Sequence, residues 1–152
     1  MREVELLGPI VDHFETQGFV AVPEVAVAGR RADVVAVRED TLLAVELKVS
    51  AWPRALRQAM AYQVWAPEAY VALPFPRALS AARHRHRFAR EGIGLLAVLD
   101  DEVRTFLPAA PSPRLFPALS DLVRRQLSHP GPHLDAFSDE LTGERFYAKG
   151  LM

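Results

Sequence analysis

Two apolar runs separated by four polar residues constrain this chain most. Residues 31–37 read Arg-Ala-Asp-Val-Val-Ala-Val, residues 42–49 read Leu-Leu-Ala-Val-Glu-Leu-Lys-Val, and Arg38-Glu39-Asp40-Thr41 lies between them. Both runs are rich in aliphatic and β-branched residues, and the polar bridge is short enough for a hairpin turn. A two- or four-residue loop centred on Glu39-Asp40 fixes the register by counting outward. Val37 then faces Leu42, Val35 faces Ala44, and Asp33 faces Glu46. Directly opposed residues share a face, with Cβ atoms about 4.5–5.5 Å apart. Glu46 and Lys48 also point the same way, about 6.6 Å apart along their strand. This register brings two carboxylates and an ammonium onto one face.

Such a placement is costly without compensation. The flanks are apolar on both alternations, which suits strands covered on both sides, where charges are rare unless paired. Opposed like charges destabilise a sheet unless something cationic joins them, and a divalent metal takes oxygen ligands. The competing reading is a pair of solvated outer-face acids. The apolar flanks weigh against it, as does the rarity of lysine: two lysines stand against sixteen arginines, and one of the two follows Glu46 by two residues.

This constellation resembles the PD-(D/E)xK nuclease superfamily. Asp33 matches its first acid and Glu46-Leu47-Lys48 its E-x-K, although Ala32 stands where the superfamily's name has proline. A helix ending in Gly18-Phe19, then Val22-Pro23-Glu24-Val25, then Gly29 to Asp33, resembles the order in small Holliday-junction-resolvase-like and MmcB-like DNA repair members. Gln58 and Tyr62 match the Q-x-x-x-Y pattern of RecB-like members, and the resemblance covers residues 2–107. It implies a restriction-endonuclease-like fold. It also implies a metal-dependent nuclease hydrolysing phosphodiester bonds in DNA, ahead of RNA, in repair, recombination or restriction. In that scheme Asp33, Glu46 and the Leu47 backbone carbonyl hold Mg²⁺ or Mn²⁺. Lys48 positions the attacking water or stabilises charge developing on phosphorus. Glu3 either completes the metal shell or is a first-turn acid favoured by the helix dipole; Glu24 is a weaker alternative. Gln58 and Tyr62, four apart on one helix face, either flank the site or are a polar residue and a core aromatic of an amphipathic helix.

The length of 152 residues suits one domain with a real core, and half the residues are apolar. There are no cysteines, which excludes disulfides, thiolate zinc sites and cysteine nucleophiles and is compatible with a cytoplasmic protein. No apolar run is long enough to span a bilayer, and the acidic start Met-Arg-Glu-Val-Glu lacks a signal-peptide core. A soluble protein without a membrane partner is therefore expected. No phosphate-binding G-x-x-x-x-G-K-[ST] or G-x-G-x-x-G occurs, nor the G-x-S-x-G of serine hydrolases. His84-x-His86 has metal-like residue types, but its spacing diverges on a helix; His129 and His133 fall in a Pro-rich loop.

The net charge of −1 is not a general nucleic-acid footprint, yet residues 77–90 carry Arg77, Arg83, His84, Arg85, His86, Arg87 and Arg90 without an acid. Arg83, Arg85, Arg87 and Arg90 are either a phosphate-binding patch or the solvated helix face of an arginine-biased chain. A homodimer is compatible with cutting two strands, but no heptad supports one.

The periodicities predict a helix over 2–17 with Val4, Leu7, Ile10, Val11 and Phe14 inward, and a strand over 19–27 before the hairpin. A helix from Pro53 to about Trp65, a strand over 69–73, a helical segment over 76–90 and strands over 95–99 and 103–107 follow. This order predicts an α/β fold, a mixed sheet flanked by helices in the order αβββαβ; the resemblance implies the same. Residues 1–107 form the expected nuclease-like domain. Residues 108–152 read as a Pro-rich linker and a C-terminal helical appendage, packed on the core or used for a partner or DNA, with one helix over 115–127. The alternative from another class is a catalytically inactive nucleic-acid-binding or scaffold protein that keeps the fold; a metal-stabilised structural protein is a third.

Overall fold

The computed structural model describes residues 1–128. His129, His133 and the stretch over 134–152 lie outside the described residues. The chain runs α1 (Val4–Glu15), β1 (Val20–Val27), β2 (Arg30–Arg38), β3 (Thr41–Leu47), α2 (Trp52–Tyr62), β4 (Glu68–Pro74), α3 (Phe75–Ala82), α4 (Arg85–Glu91), β5 (Gly94–Leu99), β6 (Glu102–Leu107) and α5 (Pro117–Leu127). The strands form one mixed sheet in chain order, β1 to β6. β1, β2 and β3 pair antiparallel, β3–β4 and β4–β5 parallel, and β5–β6 antiparallel. The two parallel pairs need crossovers, and these are α2 and the α3–α4 segment. A mixed sheet flanked by helices is thus what the alternation of strand and helix patterns led one to expect.

Period-2 alternation assigns the two faces. Leu43, Val45, Leu47, Ala72, Leu96 and Val98 pack with Leu6, Ile10 and Phe14 of α1. Their alternates face the opposite way. Leu42 and Ala44 pack with Tyr62, Trp65 and Leu119, and Val71, Leu73, Leu95 and Ala97 with Leu56, Ala78 and Phe88. One helix covers one face and four cover the other, so β3 and β4 are buried on both sides.

Three details differ from expectation. In α1 the fully buried residues are Leu6, Ile10 and Phe14, one stripe at four-residue spacing, and Val4 is 62% exposed. The helical stretch at 76–90 breaks into α3 and α4 at His84, whose ring stacks on Trp52 at 5.1 Å and whose backbone leaves the helical region. The break lets Phe88 turn fully into the core. The Pro-rich stretch is strapped down instead of free. Ser112 donates its N–H to the Pro67 carbonyl (2.9 Å) and its hydroxyl to that of Gln63 (2.6 Å). Arg114 donates to the buried Gln63 Oε1 and pairs with Glu91 at 2.9 Å. Beyond it, Leu119, Val123 and Leu127 of α5 enter the same core as Val35 and Tyr62. The segment to residue 128 therefore packs on the core, one of the two roles expected for it.

Candidate functional site

The hairpin closes on Arg38↔Thr41, leaving Glu39-Asp40 as a two-residue loop with Glu39 at φ 52°. The register runs through Val37↔Leu42, Val35↔Ala44 and Val34↔Val45, the alignment that sets Asp33 opposite Glu46. There the ladder stops. In place of a strand partner, the Leu47 N–H donates to Asp33 Oδ2 at 2.8 Å. The β1–β2 ladder skips the same point, passing from Pro23↔Val34 to Val25↔Ala32. Glu24, opposite Asp33 in that gap, takes φ 55°. Alternation also slips here: Ala32 and Val35 join one core and Val34 the other. Asp33 thus sits at a break in both ladders, where its carboxylate is available to side chains.

Glu46 is 6% exposed. Its Oε1 accepts the Tyr62 hydroxyl at 2.6 Å, and the same hydroxyl lies 2.9 Å from the Arg31 carbonyl. Burial pushes the Glu46 carboxyl up to about 7, against the pull of the Tyr62 hydrogen bond, and the Asp33 charge adds to the rise. Burial also raises Asp33, opposed by the Leu47 N–H and the Glu46 hydrogen bond. Burial and the neighbouring acids raise the Tyr62 hydroxyl. Both carboxyls are thus raised by burial, and the Asp33 charge adds to the rise of Glu46.

Lys48 follows directly on β3, its N–H donating to the Ala72 carbonyl. Its Nζ lies 3.9 Å from Glu3 Oε1, and its charge favours ionisation of both Asp33 and Glu46. Glu3 precedes the first turn of α1 without a side-chain capping bond, and its charge raises Asp33. Glu24 instead faces Arg31 at 4.0 Å across an exposed edge. After Lys48 the chain turns at Ala51 (φ 55°) into α2, with Pro53 in its first turn. Gln58, one turn before Tyr62, has a buried Oε1 without a hydrogen-bond partner among the described residues.

Among the described residues no three His, Cys, Asp or Glu side chains form a cation cluster. The set available to a metal is Asp33, Glu46 and the Leu47 carbonyl, which strand geometry points to the side of the Leu47 N–H. An all-oxygen set of two carboxylates suits Mg²⁺, which keeps several waters and commonly uses one or two carboxylates plus substrate phosphates.

The four arginines expected to bind phosphate separate. Arg83 and Arg85 line an open groove of about 540 Å³ with Leu79, Ala82 and His86. Arg87 lies over the Trp52 ring at 4.9 Å, and Arg90 pairs with Glu91 at 3.9 Å. A second open groove of about 630 Å³ is lined by Met1, Val49, Ser50, Pro74, Pro76, Arg77 and Ser80. It adjoins the site, because Val49 and Ser50 follow Lys48. Arg77 heads the acid-free run, but Ser50 and Ser80 carry no local signal that sequence reasoning could have used.

No family model and no curated protein matches the sequence. Two solved structures align with the chain. The "SPO1766 protein of unknown function from Silicibacter pomeroyi" aligns over 96% of this chain and 91% of its own, at 19% identity and a TM-score of 0.60. A "Protein of Unknown Function AF1548" aligns over 63% of this chain and 58% of its own, at 16% identity and a TM-score of 0.49. The first likeness speaks to the fold alone.

Proposed function

We propose that the chain is a metal-dependent nuclease of the PD-(D/E)xK type acting on DNA. One observation carries this reading: Asp33 and Glu46 meet at a break in two ladders with Lys48 beside them. Binding a partner gains nothing from pressing two acids together until one is pushed up to about 7; positioning a cation does. Strongly perturbed acids in such a setting mark candidate functional sites. The sheet order and the helices on both faces are compatible with a restriction-endonuclease-like core.

Asp33, Glu46 and the Leu47 carbonyl would hold Mg²⁺ or Mn²⁺. Such an ion supplies Lewis acidity toward a phosphoryl oxygen and makes a bound water more acidic. The Leu47 N–H fixes Asp33, and the Tyr62 hydroxyl fixes Glu46 Oε1. Lys48, held near Glu3, offsets negative charge developing on the phosphoryl oxygens. Gln58 Oε1, buried and without a partner, can accept a hydrogen bond from the attacking water.

The test is a cleavage panel over linear duplex, single-stranded and branched DNA, and RNA, with Mg²⁺, Mn²⁺ or EDTA. Metal-dependent cleavage of DNA, lost in Glu46→Gln and in Lys48→Ala, is expected. DNA binding without cleavage in either metal would favour the inactive binding protein instead.

A further inference from the structure

From Ala69 to Arg90 the chain has no aspartate or glutamate and carries five arginines and two histidines. In a chain of net charge −1 this is a focused positive surface, and such surfaces steer polyanions. The fold decides which of these arginines are free. Arg87 is spent on the Trp52 ring and Arg90 on Glu91. Arg77, Arg83 and Arg85 are exposed, and no hydrogen bond or salt bridge within the described residues engages their side chains. They line the two grooves that flank α3: Arg77 and Ser80 in the one beginning at Val49-Ser50, Arg83 and Arg85 in the one with His86.

We infer that α3 carries the DNA backbone away from the site. A strand leaves the carboxylates past Ser50, meets Arg77 and Ser80, crosses α3 and reaches Arg83 and Arg85. Arg77 and Arg83 are six residues apart, about 9 Å along a helix. That span covers about two to three phosphates of one duplex strand at 3.4 Å of axial rise each, so the arginines serve different phosphates. Guanidinium groups fork onto phosphate oxygens, and the Ser50 and Ser80 hydroxyls add uncharged donors. Contacts of this kind carry register but no base preference. Exposed Leu79 of α3 lines the groove of Arg83 and Arg85. This inference rests on the nuclease reading only for where the strand leads; the basic track itself is read from charge and exposure.

The experiment measures binding without turnover, as fluorescence anisotropy of the full chain on a labelled DNA duplex in EDTA at 50 to 200 mM salt. Compared are wild type, Arg77→Ala, the triple variant Arg77→Ala/Arg83→Ala/Arg85→Ala, and Arg124→Ala/Arg125→Ala on α5. Circular dichroism confirms that each is folded. Each lost phosphate contact removes about 0.9 from the log–log salt slope. The advantage of wild type over Arg77→Ala should therefore shrink about 3.5-fold between 50 and 200 mM salt, and the triple variant should lose about three times that slope. Equal slopes in wild type and triple variant, loss of slope in the α5 variant alone, or no binding by wild type would each overturn the track. If the α3 variants weaken binding but no metal supports cleavage, the track stands and the nuclease reading falls. Cleavage with unchanged binding in the α3 variants gives the reverse.

Discussion

Replacing Glu46 by glutamine should make the metal-free protein more stable while abolishing cleavage. The native Glu46 carboxyl is raised from 4.5 to about 7, so the folded chain holds this proton more tightly than the unfolded chain does. Between those values folding takes up a proton, and stability falls as pH rises; above the folded value the full cost of a buried carboxylate is present. At 1.36 kcal/mol per pH unit the ceiling is about 3 kcal/mol; Asp33, also raised, slopes the same way but is present in both proteins and drops out of the comparison. Glutamine never ionises. Its oxygen can still accept from Tyr62. The two proteins should therefore be nearly equal in stability below pH 4.5. The variant should pull ahead through the window up to pH 7 and stay ahead by up to about 3 kcal/mol at pH 8. For a domain of this size that gap is about 6–12 °C in melting temperature. Urea denaturation in EDTA from pH 4.5 to 8.5 measures it. Parallel stability curves across the window would refute both the buried pair and the sign. Mg²⁺ should narrow the gap at pH 8, because it stabilises only the protein that binds it.

Three further outcomes follow from the same contacts. Lys48→Ala should cut the cleavage rate by on the order of 10²–10³, the range for losing one electrostatic donor, while leaving Mg²⁺-dependent thermal stabilisation in place; both readouts come from one preparation. Tyr62→Phe removes the hydrogen bond that lowers Glu46, so the Glu46 carboxyl should titrate higher still by NMR, and stability should drop by about 1–2 kcal/mol. Arg114→Ala leaves the Gln63 Oε1 buried without its donor and should cost about 1–3 kcal/mol in urea denaturation, with metal-dependent cleavage retained under folding conditions.

The hairpin was legible because two constraints agree. Apolar runs on both flanks demanded burial, and a short polar bridge left few registers; the structure has the two-residue loop and the pairs counted from it. The order of strands and helices followed from similar contrasts. Less visible was which side of α1 faces inward, since Val4 and Leu6 are both apolar and only the four-residue stripe separates them. The division of 76–90 into two helices was hidden, because no glycine or proline marks His84; a tertiary contact, its stacking on Trp52, accompanies the break. For the same reason Arg87 and Arg83 look alike in the sequence and differ in the fold, one covering an aromatic ring and the other open.

Least legible was the irregularity that makes the candidate site. Strict alternation brought Asp33 to Glu46 on paper, but a continuous ladder would have held Asp33 between two backbones. The fold interrupts both ladders at that residue, and none of the positions absorbing the distortion is glycine. Glu24 and Ala51, one beside Asp33 and one just after Lys48, both take left-handed backbone angles. Each costs about 1–3 kcal/mol for a residue with a side chain, and persists only where surrounding packing over-determines it. Here that packing is the doubly covered β3 and the cores on its two faces. Ala28, Glu39 and Asp100 take such angles too, each in a turn between paired strands, whereas Glu24 lies inside β1 opposite Asp33 and Ala51 follows Lys48 by three residues, so these two flank the strand end that carries the buried Glu46. Unusual backbone inside a strand, beside a buried acid, is a setting in which strain and function tend to coincide, so the strain at Glu24 offers a reason, separate from the residue motif, to test the proposed site first.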